Sequence, residues 1–236
     1  MHRKNKEIPK KDNLILIGFM GSGKTSLGLR LSYRLQMTVE DTDKRIEAEQ
    51  GRSISEIFAR EGEGAFRQME TELLRRIRDE KTCRIYSLGG GTPVQLQNQP
   101  LICRSGIVVY LRIRPESVYE RLKGDTRRPL LQCADPLSRI RELIRQRGPA
   151  YERCADLIVD VDESNQAQIT EQIAQYYLER TGRADPQLLK EAREQKTEEK
   201  DENTGDQRTE SELPGDPGEG GLRDTGLQLP HPDDCG

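Results

Sequence analysis

Residues 13–25 read NLILIGFMGSGKT, an apolar run that leads directly into a glycine-rich turn. Because Leu14 to Ile17 are continuously apolar, they favour a strand buried on both faces, as in a parallel sheet. Leucines at a spacing of four predict that a helix over residues 23–35 follows the turn. A strand, a glycine-rich turn and a helix in this order are typical of a phosphate-binding loop.

The segment Gly18–Thr25 fits the pattern G-x-x-x-x-G-K-[ST]. Its glycines allow backbone N–H groups to turn toward phosphate oxygens, and the helix N-terminus adds partial positive charge. Lys24 is expected to reach the β- and γ-phosphates, and the Thr25 hydroxyl to ligate Mg²⁺. A chance glycine-rich turn is the alternative, but the flanking strand and helix favour nucleotide binding.

Strands and helices alternate along the rest of the folded part. Further strands are predicted over residues 38–41, 84–88, 107–111 and 157–161. Helices are predicted at Gly23–Leu35, around Phe66–Ile77, near Pro115–Lys123, over Pro136–Arg147 and from a Ser164 cap to Gly182. Five strands with long helical connections predict an α/β fold, a three-layer α/β/α sandwich around a five-stranded parallel sheet.

Local signals set several helix ends. Ser53 and Glu56 fit a capping box, and Gly62 and Gly64 are expected to break the stretch before the next helix. Arg145 and Arg147, which precede Gly148-Pro149, are expected to end theirs.

The composition divides the chain of 236 residues. Hydrophobic residues make up only 33%, and no aromatic residue follows Tyr177. Residues 183–236 hold 7 Lys and Arg against 15 Asp and Glu, a net charge of −8 that leaves +5 for the remainder. We therefore predict a polar basic extension (1–12), a folded domain (13–182) and a disordered acidic tail (183–236) of unknown partner.

The inventory excludes several function classes. No stretch approaches the roughly 18 apolar residues that a membrane span needs, and no signal peptide is evident. The five scattered cysteines predict free thiols and a cytoplasmic protein. The two histidines, His2 and His231, lie in the polar ends, which argues against Ser-His-Asp or His-metal chemistry.

Two acidic residues lie at the end of the second strand. Asp41 and Asp43 would point to the same side of an extended chain, where they could hold a metal ion or accept a proton. The alternative is a polar strand end that caps a helix over residues 44–50. Arg67, beside the apolar stripe of its helix, is either a clamp for an anionic group or a solvated charge.

Two further segments could contact a ligand. The glycines Gly89–Gly91 end a strand and would let a ligand approach the backbone, unless they form a loose turn. Arg127 and Arg128 lie in a polar segment that could close over a triphosphate or form a charged surface loop.

Together these motifs resemble the shikimate kinase family across about residues 13–180. They are GFMGSGKT, DTD, FRxxE (Phe66, Arg67, Glu70), SLGGG, RPLL (128–131) and RxPxY (Arg147, Pro149, Tyr151). The resemblance implies a nucleoside-monophosphate-kinase-like fold. It also implies transfer of the γ-phosphoryl group of ATP to the 3-hydroxyl of shikimate, in the chorismate branch of aromatic amino acid biosynthesis.

The resemblance also implies residue roles. Lys24, Asp43 and Arg128 would be catalytic, with Asp43 as the base. ATP would contact Gly21, Ser22, Gly23, Lys24, Thr25, Ser26 and Arg128. Shikimate would contact Asp43, Arg67, Gly89, Gly90, Gly91 and Arg147. Thr25 and Asp41 would hold Mg²⁺, Asp41 through water. A monomer without nucleic-acid or membrane partners is expected.

Two other functions are consistent with the phosphate loop. A gluconate- or nucleoside-monophosphate-type kinase would share the loop and fold but not DTD, FRxxE and SLGGG. A non-catalytic ATP-binding regulator would be favoured by loss of Lys24, Asp43 or Arg128, and all three are present.

Overall fold

The computed structural model describes residues 12–80, 83–124, 133–162, 164–192 and 194. Its centre is a parallel sheet of five strands in the order β2-β3-β1-β4-β5. The strands are β1 (Leu14–Gly18), β2 (Thr38–Asp41), β3 (Arg84–Ser87), β4 (Ile107–Arg112) and β5 (Leu157–Asp160). The α/β fold predicted from the sequence is confirmed.

Helices connect the strands. They are α1 (Lys24–Leu35), α2 (Thr42–Gln50), α3 (Ile54–Asp79), α4 (Asn98–Ser105), α5 (Pro115–Leu122), α6 (Pro136–Cys154) and α7 (Gln166–Thr181), with a short 3₁₀ helix over Thr92–Val94. The predicted stripe of α3 is confirmed, because Phe66, Leu73 and Ile77 are buried in the core. The capping box of Ser53 and Glu56 and the left-handed Gly182 at the end of α7 are confirmed as well.

The sheet brings three strand ends together. β1 is the central strand, and each residue of Leu14–Ile17 is fully buried, as the apolar run predicts. Asp41 at the end of β2 is in register with Ser87 at the end of β3. Since parallel strands end at one edge of a sheet, the phosphate loop, Asp41 and the glycines after Ser87 meet there.

Of the predicted helix boundaries, the break at Gly62 is confirmed, and three others, at Gly64, Ser164 and Arg147, were wrong. Only Gly62 interrupts α3, with a φ of 82°, and Gly64 is helical. The cap of α7 is Asn165, whose side chain accepts from the Gln168 N–H, and not Ser164. Helix α6 continues beyond Arg147 to Cys154.

The continuation of α6 passes through a proline. Pro149 removes one helical hydrogen bond, which costs roughly 3 kcal/mol in a helix interior. The turns that follow bury Ala150, Tyr151 and Cys154. Burial of each of the larger side chains contributes about 1.5–3 kcal/mol to stability. Together these contributions outweigh the hydrogen bond that Pro149 removes.

Contacts of the folded part continue beyond the predicted boundary at Gly182. Arg34, at the end of α1, is only 9% exposed. Its guanidinium pairs with Glu171 on α7 and with both carboxylate oxygens of Asp185, at 2.7 Å each. Residues 186–192 are helical. The extension 1–11 and most of the predicted tail, 195–236, lie outside the described residues.

Two features bear on the excluded classes. No helix among the described residues is long and apolar enough to cross a membrane. Cys83, Cys103, Cys133 and Cys154 are free thiols, as the sequence predicts for them; Cys235 lies outside the described part of the chain.

Candidate active site

The phosphate loop connects β1 to α1 and turns at glycines. Gly23 immediately precedes α1 with a φ of 88°, in the left-handed region that L side chains rarely adopt. The first helical N–H to reach a carbonyl four residues earlier is that of Leu27, which donates to Gly23. The N–H groups in the first turn of α1 therefore have no helical carbonyl four residues earlier to bond, which is the feature that lets a helix N-terminus bind an anion.

Two side chains of the loop differ in their surroundings. Lys24 Nζ donates to the carbonyl oxygens of Gly18 and Phe19, at 2.9 and 3.1 Å, which holds the ammonium over the loop. Ser22 Oγ is buried and has no hydrogen-bond partner in the described part of the structure. A buried hydroxyl without a partner is costly, so a bound oxyanion would complete this loop.

The backbone between Asp41 and Asp43 is not extended, contrary to the expectation from the sequence. Asp43 lies in the first turn of α2, because the strand ends at Asp41. Asp41 caps this helix, and its Oδ1 accepts from the N–H groups of Asp43 (3.0 Å) and Lys44 (3.3 Å). The alternative role of Asp41, a helix cap, is thus confirmed, and the cap itself brings the two carboxylates together.

The carboxyl of Asp43 is electrostatically unusual. Burial raises its pKa to about 6, and the negative charges of Asp41 and Glu70 act in the same direction. The charges of Lys24 and Arg67 lower the pKa in part. Asp43 therefore lies within the fields of both the lysine of the phosphate loop and the arginine of α3. Such a group is ionised at neutral pH and still able to accept a proton.

Arg67 is held on α3 by two glutamates. Its Nη1 donates to buried Glu70 at 2.7 Å, and its Nη2 donates to Glu63 at 2.7 Å. Burial lowers the pKa of Arg67, but the hydrogen bonds and charges of the two glutamates raise it overall. The guanidinium lies against Gly91, where a Cβ would approach Nη1 to 2.4 Å. Arg67 is thus partly buried and preorganised rather than solvated.

The turn Gly89–Gly91 is ordered by bonds to its carbonyl groups. Gly89 O accepts from the Thr92 N–H and Gly91 O from the Val94 N–H, both at 3.1 Å. Gly90 O accepts from the hydroxyl of Tyr151 at 2.6 Å. Among the described residues, the N–H groups of Gly90 and Gly91 have no hydrogen-bond acceptor. The turn can therefore donate to a ligand, so the loose-turn alternative does not hold.

Arg147 lies on the inner side of α6. Its guanidinium stacks over the ring of Phe19 in the phosphate loop, 5.7 Å from the ring centroid. Its charge and that of Arg67 both act on the hydroxyl of Tyr151. The two arginines therefore flank one region beside the Gly89–Gly91 turn. Arg145, in contrast, is exposed and pairs with Glu142.

A cleft of about 540 Å³ joins most of the predicted residues. The predicted residues that line it are Gly21, Gly23, Lys24, Thr25, Ser26, Asp41, Asp43, Gly89 and Gly90. The predicted residues Ser22, Arg67, Gly91 and Arg147 are not among the residues that line it. Ser22 and Gly91 are the chain neighbours of lining residues. Arg128 lies outside the described residues.

Sequence reasoning missed several residues of this region. Arg121 and Gln166 also line the cleft, and Arg121 donates to the carbonyl of Gly21 at 3.0 Å. Thr42 accepts from the Gly89 N–H and donates to Ser87 O. These contacts join residues far apart in the chain, so no local pattern indicated Arg121 or Gln166. For Thr42, the one available signal was its position between two predicted aspartates.

A phosphate loop at the end of the central parallel strand, faced by a carboxylate that can accept a proton, defines a P-loop kinase of small molecules. A family model described as Shikimate kinase matches residues 20–179. The chain belongs to the shikimate kinase family and is an ATP-dependent kinase.

Individual relatives agree with this assignment. The shikimate kinase of Neisseria meningitidis serogroup C (strain 053442) is 45% identical over 147 residues, which are 62% of this chain and 86% of that protein. That of Thermodesulfovibrio yellowstonii is 38% identical over 165 residues, 70% of this chain and 94% of that protein. The structure of Acinetobacter baumannii shikimate kinase in complex with shikimate is similar at a TM-score of 0.67, with 32% identity over 73% of this chain and 96% of that chain.

Proposed function

We propose that this chain transfers the γ-phosphoryl group of ATP to the 3-hydroxyl of shikimate, with Asp43 as the base. One observation carries the assignment of roles: Asp43 lines the same cleft as Lys24, and its carboxylate lies at Gly89 beside Glu70, the partner of Arg67. A carboxylate near both a phosphate-binding lysine and an arginine suited to a carboxylate is well placed to receive the proton of an acceptor hydroxyl beside the γ-phosphate.

ATP is bound by the phosphate loop in this proposal. The first-turn N–H groups of α1 and the side chains of Thr25 and Ser26, both exposed to the cleft, face the phosphates. Lys24 exchanges its loop carbonyl partners for β- and γ-phosphate oxygens and neutralises charge that develops during transfer. The partnerless Ser22 Oγ supports an oxyanion in this loop. Arg121, which lines the same cleft, is a further candidate contact.

Mg²⁺ is the proposed cofactor, and the residues of the cleft fit it. Mg²⁺ prefers oxygen ligands and is usually held by one or two carboxylates together with substrate phosphates. Thr25 and Asp41 supply a hydroxyl and a carboxylate to the same cleft. When bound, Mg²⁺ neutralises phosphate charge. Because Asp41 Oδ1 already caps α2, we propose that Asp41 acts through water.

Asp43 performs the proton transfer in this mechanism. Its carboxylate accepts the proton of the 3-hydroxyl while that oxygen bonds to the γ-phosphorus and the bond to ADP breaks. A pKa of about 6 suits this task, since the group is mainly ionised at pH 7. Near-normal shikimate turnover in a folded Asp43→Asn variant would contradict this role.

The carboxylate of shikimate is bound by Arg67 and Arg147, with backbone donors from Gly90 and Gly91. The predicted contribution of Gly89 is not one of these donors, because its N–H donates to Thr42. Arginine suits this task because its planar fork matches a carboxylate. The buried Glu70 supports the role of Arg67 by fixing its guanidinium. Arg128 remains the proposed contact to the transferring phosphoryl group, on the basis of the RPLL motif alone.

We further propose a cytoplasmic monomer. Light scattering after size exclusion measures this: a mass of about 27 kDa, as for one chain of 26.9 kDa, is expected.

Acceptor-dependent ADP release tests the function as a whole. The purified chain is offered ATP with shikimate, gluconate or a nucleoside monophosphate in parallel reactions. Of these acceptors, we expect only shikimate to give rapid ADP release. Preference for gluconate or a nucleotide would support the other kinase class, and ATP binding without any acceptor-dependent release would support a non-catalytic regulator.

A further inference from the structure

Tyr151 lies directly behind the Gly89–Gly91 turn. It follows Arg147 by one helical turn on α6 and is only 1% exposed. Its ring packs against Tyr110 of β4, with 5.1 Å between the ring centroids. The hydroxyl at the tip of this immobilised ring donates to Gly90 O at 2.6 Å.

This hydrogen bond also orients the peptide unit between Gly90 and Gly91. The C=O of Gly90 and the N–H of Gly91 belong to one planar peptide unit and point in opposite directions. Whatever fixes the carbonyl therefore fixes the direction of the Gly91 N–H. Glycines restrict the backbone little, so this hydrogen bond adds a direct restraint on that peptide to those that Thr92 and Val94 place on the carbonyls of Gly89 and Gly91.

The charges of Arg67 and Arg147 lie near the Gly91 N–H, so all three groups could bind the same anion. Gly91 adjoins the guanidinium of Arg67, and the charges of Arg67 and Arg147 both act on the Tyr151 hydroxyl. Burial raises the pKa of Tyr151 to about 12, although the charge of Arg147, a hydrogen bond with Arg147 and the charge of Arg67 favour the phenolate. The hydroxyl thus remains a donor at any pH at which the protein is assayed.

We propose that Tyr151 is a positioning residue for the acceptor: its hydroxyl holds the Gly90–Gly91 peptide so that the Gly91 N–H donates to the carboxylate gripped by Arg67 and Arg147. The inference deepens the proposed function and rests on it for the identity of the acceptor. Tyr151 itself touches neither substrate.

Tyr151→Phe tests this, and the chain offers a matched control. Tyr177 on α7 is also fully buried, and its hydroxyl likewise donates to a backbone carbonyl, that of Asp12, on the far side of the domain. Tyr177→Phe therefore removes the same chemical group away from the candidate site, together with its contact to Cys83 Sγ at 3.3 Å. Both variants and the wild type are assayed for KM and kcat with shikimate and ATP varied separately.

We expect Tyr151→Phe to raise the KM for shikimate about tenfold, the effect of one lost hydrogen bond to a charged group. The KM for ATP and kcat should stay within about twofold of the wild type. Tyr177→Phe should leave all constants unchanged. If Tyr151→Phe alters both KM values alike, or no more than Tyr177→Phe does, the positioning role is overturned.

A second measurement separates this inference from the proposed function. The amide resonance of Gly91 in the wild-type protein without ligand reports the orientation of its peptide. Tyr151→Phe should shift that resonance and speed its hydrogen exchange, whereas Tyr177→Phe should do neither. An unchanged Gly91 resonance overturns the inference, while a wild type inactive toward shikimate overturns the proposed function independently of that result.

Discussion

The carboxylate of Asp43 lies against the backbone of Gly89, so closely that a Cβ at position 89 would come within 2.5 Å of Asp43 Oδ1. Glu70 and Thr92 crowd the same point, each at 3.1 Å from that Cβ. The carboxylate of Asp43, the proposed base, therefore occupies the space that a side chain at position 89 would need. A substitution of Gly89 is thus a sensitive probe of the position of Asp43.

Gly89→Ala is expected to displace the Asp43 carboxylate, because the side chain is the part of this contact that can move. A shift of about 1 Å in a catalytic group can cost roughly a hundredfold in rate, so we expect kcat to fall by about ten- to a hundredfold. Gly148→Ala is the control: a Cβ there meets nothing within 4 Å, and kcat should be unchanged. Equal kcat in both variants contradicts the tight placement.

Lys24→Met should abolish most turnover, since it removes the cation that meets charge developing on the γ-phosphate. A single contact of this kind is worth about 10²–10³ in kcat. The exposed Lys44→Met serves as a control for loss of a lysine near the site. A folded Lys24→Met protein that retains normal kcat would show that the phosphate loop does not use this residue.

The pH dependence of the wild type should report the titration of Asp43. Because its pKa is about 6, kcat/KM for shikimate should fall as the pH drops through 6, by about tenfold per unit below it. The assay is run at constant ionic strength with saturating ATP. A profile that is flat from pH 7 to pH 5 assigns the proton transfer to another group.

Asp43→Asn should make the folded protein more stable at neutral pH. A carboxyl whose pKa is raised on folding favours the folded state at low pH and loses that contribution as the pH rises through about 6. Removing the charge should raise the free energy of unfolding by about 1–3 kcal/mol at pH 8, with no difference below about pH 4. Denaturant titrations at both pH values measure this, and equal stabilities at pH 8 contradict the burial of a charged Asp43.

Truncation should distinguish the two parts of the C-terminal segment. A chain that ends after Glu194 keeps the pair of Arg34 and Asp185 and should melt at the full-length temperature. A chain that ends after Gly182 loses it and should melt several degrees lower, since hydrogen bonds to charged groups are worth about 1.5–3 kcal/mol.

Point variants isolate the ion pair from the rest of the segment. Asp185→Asn should reproduce most of the loss, because it weakens both bonds to the nearly buried Arg34. Glu191→Gln, on the same segment but exposed, should have no effect. If Asp185→Asn melts with the wild type, the domain ends at Gly182, as the sequence alone predicts.

Local patterns in the sequence determined the order of elements and the phosphate loop. The apolar run before Gly18, the glycines that follow and the leucines of α1 each act within a few residues, where side-chain period and backbone freedom set the structure. The same holds for the capping box of Ser53 and the glycine stop at 182. The resemblance to a family then supplied the proposed acceptor-binding residues without any knowledge of their contacts.

Only the tertiary structure decided the features that depend on distant partners. Helix α6 passes Pro149 because Tyr151 and Cys154 are buried against the core, and this places Tyr151 on Gly90, 61 positions earlier in the chain. Arg34 pairs with Asp185, which lies 151 positions later in the chain. The pKa of Asp43 likewise arises from burial and charges on other elements. Burial and long-range charge are sums over the whole fold, which no short window of sequence contains.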